Sequence, residues 1–161
     1  MGTYRDLPDH SRVWIYQANR EFSKEDCSEI KQLSENFLTG WNAHGSKLNA
    51  AIELFYDLFL VVMVDEELAL ASGCSIDSSF EFIQDLEKRL GVSLLDRLIV
   101  AHRDAKGIAL TRIDEFEIMI RDGEVGIETI VFNNLVDNKA DFDSKWEVLL
   151  KDSWHRKLLD Q

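Results

Sequence analysis

The first third of the chain changes from a strand-like to a helix-like pattern of apolar positions. Val13 to Ala18 is aromatic and β-branched between polar flanks, which predicts a strand. Ser23 then offers an N-cap for a helix, followed by Glu25 and Asp26, where the helix dipole favours acidic residues. The apolar face expected for this helix comprises Cys27, Ile30, Phe37, Leu38 and Trp41. Cys27 is therefore expected to belong to the core.

The next segment has the pattern of a pair of strands. Leu48 to Asp57 alternates apolar and polar residues, and Leu58 to Val64 is a continuous apolar run typical of a fully buried strand. We expect these two strands to pair as a hairpin. A third strand is predicted from Leu68 to Ser72, which leaves the acidic residues 65–67 in a solvated turn.

Local signals at both ends specify a second helix. Ser78 and Glu81 have the spacing of a capping box at its predicted start, and Gly91 is expected to stop it. Its apolar face would comprise Phe80, Ile83, Leu86 and Leu90. A small polar turn from Gly73 to Ser79 is expected to lead into this helix.

A hairpin and a short helix are predicted in the second half of the chain. Leu98 to Ala101 and Ile108 to Leu110 flank the turn sequence Asp104-Ala105-Lys106-Gly107. Asp114, with Glu117 three residues later, is expected to cap a helix that Gly123 ends.

The C-terminal third predicts one more strand, Thr129 to Phe132, and a closing helix from Asp143 to Leu158. No repeat and no linker rich in Pro, Gly or Ser divides the chain. We therefore expect one α+β domain over residues 1–161, mainly an antiparallel sheet with helices packed on it. Residues 1–11 are expected to form a mobile lead.

The composition narrows the class of protein. With 161 residues, 45% of them hydrophobic and 30% charged, the chain is long enough to bury a core without disulfides or a structural metal. Its longest apolar run, Leu58 to Val64, is too short to cross a bilayer, and the N-terminal residues lack the apolar region of a signal peptide. The formal net charge of −12 repels nucleic acid and anionic membranes. Cys27 and Cys74 have no C-x-x-C spacing, so we expect free thiols in a cytoplasmic protein.

Two segments superficially resemble parts of a nucleotide-binding ATPase. Gly40 to Lys47 approaches the P-loop spacing, and Phe59 to Glu66 is similar to an apolar strand that ends in a magnesium-binding acid and a catalytic glutamate. A P-loop needs Lys directly after its second Gly, so that the ammonium reaches the β- and γ-phosphates, whereas Ser46 precedes Lys47 here. The segment also follows a predicted helix, where a P-loop follows a strand. We therefore expect neither ATP hydrolysis nor specific Mg-ATP binding.

Three short segments carry a resemblance to a known family. They are W-x-A-H-G at Trp41 to Gly45, V-D-E at Val64 to Glu66, and S-G-C-S-I-D-S-S at Ser72 to Ser79. Together they resemble a family of small uncharacterised bacterial proteins, some of which carry the label "ABC transporter ATPase". The resemblance spans Val13 to about Leu90, and it implies no substrate and no catalytic residue for this chain.

The polar turn from Gly73 to Ser79 is the leading candidate site. Unpaired backbone N–H groups at a helix start favour anions, Gly73 permits a close approach or a positive φ, and serine hydroxyls add donors. The ligand-binding residues predicted on this basis are Gly73, Ser75, Asp77, Ser78 and Ser79, with Trp41 as a wall of the pocket. The first hypothesis is a small domain that binds a small anionic ligand.

Two other hypotheses belong to different classes of protein. A helix N-terminus favours a reactive thiolate, so Cys74 with His44 and Asp65 would form the Cys–His–Asp set of a thiol-dependent enzyme. Alternatively these residues are structural, and the chain is a non-catalytic interaction module for a protein partner or a second copy of itself. No pair of ligand-type residues has the spacing of a metal site, so we expect no metal and no cofactor.

Overall fold

The computed structural model describes residues 3–67 and 71–160. Its chain divides into two compact units, one formed by Met1–Leu95 with Asp137–Ala140 and the other by Asp96–Val136 with Asp141–Gln161. Both units combine antiparallel strands with helices, which confirms the predicted α+β class. The expectation of a single domain stays a prediction.

The first unit is built on a three-stranded antiparallel sheet with the order β1-β5-β4. The strands are β1 (Arg12–Gln17), β4 (Asn49–Phe55) and β5 (Phe59–Asp65), and a small hairpin of β2 (Asn42–Ala43) and β3 (Ser46–Lys47) precedes β4. Every residue of β5 is buried, because it lies between two strands and under the helices. The predicted hairpin of an alternating strand and a fully apolar strand is confirmed.

Two long helices cover this sheet, α1 (Lys24–Gly40) and α2 (Gly73–Leu90). Ser23 caps α1 as predicted, since its hydroxyl oxygen accepts from the backbone N–H of Asp26 at 3.0 Å. Ile30 and Leu38 of α1 are buried, and Cys27 is partly buried against the same core. Gly91 ends α2 in the left-handed conformation (φ +63°), as predicted.

The predicted start of α2 is wrong. Ser72 is the N-cap, and its Oγ accepts from the backbone N–H of Ser75 at 3.1 Å, so the polar segment predicted as a turn forms the first turns of the helix. Ser78 donates instead to the carbonyl of Cys74 inside the helix (2.9 Å). Of the strand predicted from Leu68 to Ser72, residues 68–70 lie outside the described residues and Ser72 is the helix cap. A serine can cap a helix when its hydroxyl lies two or three residues before a backbone N–H that has no partner within the helix. In the sequence, both Ser72 and Ser78 fit this pattern.

The second unit has a four-stranded antiparallel sheet with the order β7-β6-β8-β9. The strands are β6 (Ile99–Asp104), β7 (Gly107–Arg112), β8 (Ile130–Phe132) and β9 (Glu147–Leu149), and helix α3 (Ile113–Arg121) follows β7. Helix α4 (Lys139–Lys145) begins in the first unit and belongs to the second from Asp141 onward. The predicted hairpin and the predicted strand at residues 129–132 are confirmed. The core comprises Val100, Phe116, Val125, Val131, Leu150 and Leu158.

Two predictions for the second unit are wrong in detail. Asp114 does not cap α3, whose N-cap is Arg112 and has no side-chain cap bond. The tail does not form one helix from Asp143 to Leu158, because Glu147–Leu149 pairs with β8 and two short 3-10 helices follow. An unpaired strand edge supplies backbone hydrogen bonds that outweigh helical periodicity.

Residues 3–11 belong to the first unit and make contacts within it. Leu7 is 6% exposed and Ser11 is fully buried. The ring of Tyr4 contacts Phe55, and its backbone N–H donates to Glu53 Oε2 at 2.6 Å. Within the described residues, no helix combines the length and the apolar character needed to cross a membrane.

Candidate functional site

Asp65 is the last residue of β5 and lies almost fully buried at one end of the first unit's sheet, so the prediction that it occupies a solvated turn is wrong. Its Oδ1 accepts from the backbone N–H of Glu67 at 2.9 Å and lies 3.2 Å from His10 Nε2. Its Oδ2 accepts from the side-chain amide of Asn49 at 3.3 Å. The Glu67 N–H, followed by His10 and Asn49, lowers the pKa of Asp65, although burial opposes this shift. The carboxylate of Asp65 is therefore held in place by Glu67, His10 and Asn49.

The predicted histidine partner of Asp65 is replaced by another. His44 is exposed in the turn between β2 and β3, where it and Gly45 both have positive φ (+52° and +80°), the pattern of a tight hairpin turn. His10, which lies before β1, supplies the imidazole that meets Asp65. Cys74 is exposed in the first turn of α2. Within the described part of the chain, no hydrogen bond or ion pair joins Cys74 to His44 or Asp65, and the thiol-enzyme hypothesis stays a prediction.

The predicted anion-binding serines use their hydroxyls within α2. Ser75 donates to the carbonyl of Ser72 (2.9 Å), Ser78 to that of Cys74 (2.9 Å) and Ser79 to that of Ile76 (2.7 Å). Ser75 and Ser79 are buried, whereas Gly73, Asp77 and Ser78 are exposed. The three hydroxyls therefore donate to backbone carbonyls of the same segment. They give the predicted anion site no free serine donor inside the helix start.

Trp41 joins the loop after α1 to the start of α2. Its indole Nε1 donates to the backbone carbonyl of Ser75 at 2.8 Å, and the side chain is buried. Phe37 packs beside it at a ring-centroid distance of 5.2 Å. Trp41 thus contacts the segment 73–79 as part of the core. That it forms a wall of a ligand pocket stays a prediction.

A second site, which the sequence did not indicate, lies between α1 and β4. It is a pocket of about 320 Å³ whose walls combine apolar and polar side chains from both elements and from β5. Its lining residues are Cys27, Ile30, Lys31, Ser34, Ile52, Glu53, Leu54, Asp57 and Leu60. This volume lies at the small end of the range for ligand pockets in proteins, about 300–1,000 Å³.

Ser34 is the unusual residue of this pocket. It is 4% exposed, and its Oγ has no hydrogen-bond partner among residues 3–67 and 71–160. A buried hydroxyl without a partner costs about 1–3 kcal/mol of folding free energy, so such groups are uncommon. Ser34 therefore places an unsatisfied polar atom in the lining of the pocket.

The rim of the pocket carries a thiol, a carboxylate and an ammonium group. Cys27 donates its S–H to Asp57 Oδ1 at 3.5 Å. Burial, and then the hydrogen bond and charge of Asp57, raises the pKa of Cys27, so the thiol is protonated at neutral pH. Tyr56 and Asp57 lie in the β4–β5 turn and both have positive φ (+56° and +51°), a conformation that Asp adopts readily but that is uncommon for a bulky residue such as Tyr. Lys31 lies on the α1 side of the same pocket.

Several of these residues carried little local signal. His10 lies in the predicted mobile lead. Asn49 lies in a predicted strand and Glu67 in a predicted turn, and neither pattern indicated a site. Ser34 was detectable, because it falls on the row of Ile30 and Leu38 at four-residue spacing, where a polar residue interrupts the apolar face of α1.

Comparison of the chain with protein-family models, with curated proteins and with solved structures gives no match. The resemblance at Trp41 to Gly45, Val64 to Glu66 and Ser72 to Ser79 stays a prediction.

Proposed function

We propose that this protein binds a small molecule in the pocket between α1 and β4. The observation that carries the proposal is the hydroxyl of Ser34, which is buried in the lining of the pocket and has no partner in the part of the chain that the structure describes. Small-molecule sites in proteins combine apolar side chains with a few convergent polar groups, and the lining of this pocket contains both kinds. The hypothesis of a ligand-binding domain is kept, and its proposed location moves from residues 73–79 to this pocket.

The lining favours a ligand with an apolar body and two opposite charges. Ile30, Ile52 and Leu54 supply apolar surface, whereas Lys31, Glu53 and Asp57 carry charges. Glu53 Oε2 already accepts from the backbone N–H of Tyr4 at 2.6 Å, which leaves Lys31 and Asp57 to pair with the two opposite charges of a zwitterion. An ammonium group of the ligand would pair with Asp57, and a carboxylate with Lys31. Ser34, as donor and acceptor, would bind a polar group that enters the pocket. The proposed ligand class is therefore a small zwitterion of amino-acid type, in place of the simple anion expected from the sequence.

Thermal unfolding in the presence of three probes tests this proposal. L-leucine carries both charges, isovalerate only the carboxylate and isoamylamine only the ammonium group. We expect L-leucine to stabilise the chain most, because it satisfies Lys31 and Asp57 together. A ligand at about ten times its Kd adds about 1.4 kcal/mol to the free energy of unfolding.

Ser34→Ala separates ligand binding from folding. Since the variant removes an unpartnered buried hydroxyl, we expect its free energy of unfolding without ligand to be unchanged or higher by up to about 1–3 kcal/mol. Its affinity for L-leucine is expected to fall by up to about tenfold, the value of one hydrogen bond. Calorimetric titration measures the affinity and urea unfolding the stability.

Ser28→Ala is the matched control, because Ser28 lies on the exposed side of the same helix. It is expected to change neither quantity. The proposal is wrong if none of the three probes stabilises the chain, or if Ser34→Ala binds L-leucine as tightly as the unaltered chain does.

A cytoplasmic location is also proposed. Its support is that Cys27 and Cys74 are both free thiols, as suits a reducing compartment.

A further inference from the structure

The end of β5 brings together three side chains of the kinds that bind metal ions. One ligand atom each from His10, Asp65 and Glu67 lies within 4.8 Å of the other two. We propose that these residues form a binding site for a divalent transition-metal ion of the zinc class. This site is separate from the pocket between α1 and β4, and it does not depend on the function proposed there.

Strand pairing explains why residues far apart in the sequence meet here. Arg12 pairs with Val64 in the β1–β5 ladder, which places His10 beside the end of β5. Asn49 pairs with Asp65 in the β4–β5 ladder, and its amide holds Asp65 Oδ2. Asp65 is thus fixed by its pairing with β4, and His10 meets it on the side of β1. Glu67 follows two residues later, and its backbone N–H binds Asp65 Oδ1.

The donor set determines the class of ion. One imidazole nitrogen and two carboxylate oxygens suit Zn²⁺ and neighbouring first-row dications, whereas Mg²⁺ and Ca²⁺ prefer oxygen ligands alone. Zinc bonds to such atoms are about 2.0–2.2 Å long, so two ligand atoms of one ion lie at most about 4 Å apart. The side chain of His10 is 56% exposed and Glu67 is exposed, so both can close the small remaining distance around Asp65.

The neighbouring carboxylate of Glu66 is engaged elsewhere. Its Oε2 accepts from the backbone N–H of Ala71 at 2.8 Å, and its Oε1 lies 3.7 Å from the guanidinium of Arg12. Because both of its carboxylate oxygens have these partners, Glu66 is not one of the proposed metal ligands. Glu66 therefore provides a control for charge at the same end of the sheet.

Calorimetric titration of the full chain with Zn²⁺, with Co²⁺ as a spectroscopic substitute and Mg²⁺ for comparison, tests the site. We expect saturable one-to-one binding of Zn²⁺, visible absorption bands from bound Co²⁺, and much weaker binding of Mg²⁺. His10→Ala and Glu67→Gln each remove a ligand from an exposed position and are expected to weaken Zn²⁺ binding at least about tenfold. Asn49→Ala, which frees one oxygen of Asp65, is expected to weaken it about tenfold.

Two variants control for surface binding by other groups. His44→Ala removes an exposed histidine from another turn, and Glu66→Gln removes an adjacent charge; both are expected to bind Zn²⁺ within about twofold of the unaltered chain. Circular dichroism shows whether each variant is folded. The proposal is overturned if Zn²⁺ binding is absent, if it survives His10→Ala and Glu67→Gln, or if His44→Ala weakens it as much as His10→Ala does.

Discussion

Two histidines of the second unit are almost fully buried, although histidine ionises near neutral pH. His102 is 1% exposed with its Nε2 2.8 Å from Thr111 Oγ, and His155 is 2% exposed with its Nδ1 2.6 Å from Ser153 Oγ. The ring of Phe116 packs near both imidazoles. Burial lowers the pKa of His102, and burial together with the charge of His102 lowers the pKa of His155 to about 4. Both rings are therefore neutral in the folded chain at pH 7.

The burial of these histidines predicts that the free energy of unfolding falls as the pH is lowered through a defined range. The pKa of His155 is about 4 in the folded chain and 6.5 in its ordinary state, so the unfolded chain takes up the proton first as the pH falls. The stability due to neutral His155 is complete above pH 6.5 and is lost between pH 6.5 and about 4. We expect a loss on the order of 3 kcal/mol, measured by urea unfolding across this window.

His155→Gln is expected to flatten this pH dependence, with His102 accounting for what is left. His44→Gln, in an exposed turn, serves as the matched control and is expected to retain the full dependence. Equal slopes for His155→Gln and the unaltered chain would contradict the assignment.

At the scale of elements, α2 shows that a helix start depends on which of two similar caps is used. Ser72 and Ser78 both precede helical residues, but only Ser72 has its hydroxyl bonded to a free backbone N–H. Trp41, which donates to the carbonyl of Ser75, contacts the early start of the helix from outside. The helix start is therefore supported by both a local cap and a packed neighbour.

Replacement of each serine by alanine distinguishes the two caps. Ser72→Ala is expected to lower the free energy of unfolding by about 1 kcal/mol, because it exposes an unpaired N–H at the start of α2. Ser78→Ala is expected to change it by less than about 0.5 kcal/mol, since Ser78 is exposed inside the helix. Urea unfolding measures both values. A larger loss at Ser78 would place the functional cap there.

The two glycines at the ends of α2 predict opposite effects of alanine. Gly91 has φ +63°, so Gly91→Ala is expected to cost about 1 kcal/mol of unfolding free energy. Gly73 is helical and a Cβ there would meet nothing within 4 Å, so Gly73→Ala is expected to add up to about 1 kcal/mol. The same unfolding experiment gives both values, and destabilisation by Gly73→Ala would show that Gly73 has a role beyond the helix.

At the scale of the whole molecule, the first unit is formed by two separate stretches of chain. Residues 137–140 belong to it because Val13 donates its backbone N–H to the carbonyl of Asp137 (2.9 Å) and Lys139 donates to that of Ser11 (2.8 Å). No linker rich in Gly, Pro or Ser marks the points at which the chain passes from one unit to the other. Composition therefore gave no sign of this division.

Local patterns in the sequence determined most of the elements. Alternation and the apolar run of residues 58–64 specified the β4–β5 hairpin, because side chains on opposite faces of a strand differ in burial. Ser23 and Gly91 specified helix ends, because caps satisfy backbone groups within a few residues. For the candidate sites, the sequence named Asp65 as a candidate residue but placed it in a solvated turn, and the Ile30–Ser34–Leu38 row contained a polar residue in an apolar face.

Only the tertiary structure decided which segments meet. β9 replaces part of the predicted closing helix because β8 offers it an unpaired edge. His10 reaches Asp65, 55 positions away, because β1 pairs with β5 in one register. The pocket at Ser34 forms because α1 packs beside β4. The physical reason is that the pattern of side chains along an element indicates which of its faces is buried. Strand register and helix packing then determine which other element covers that face.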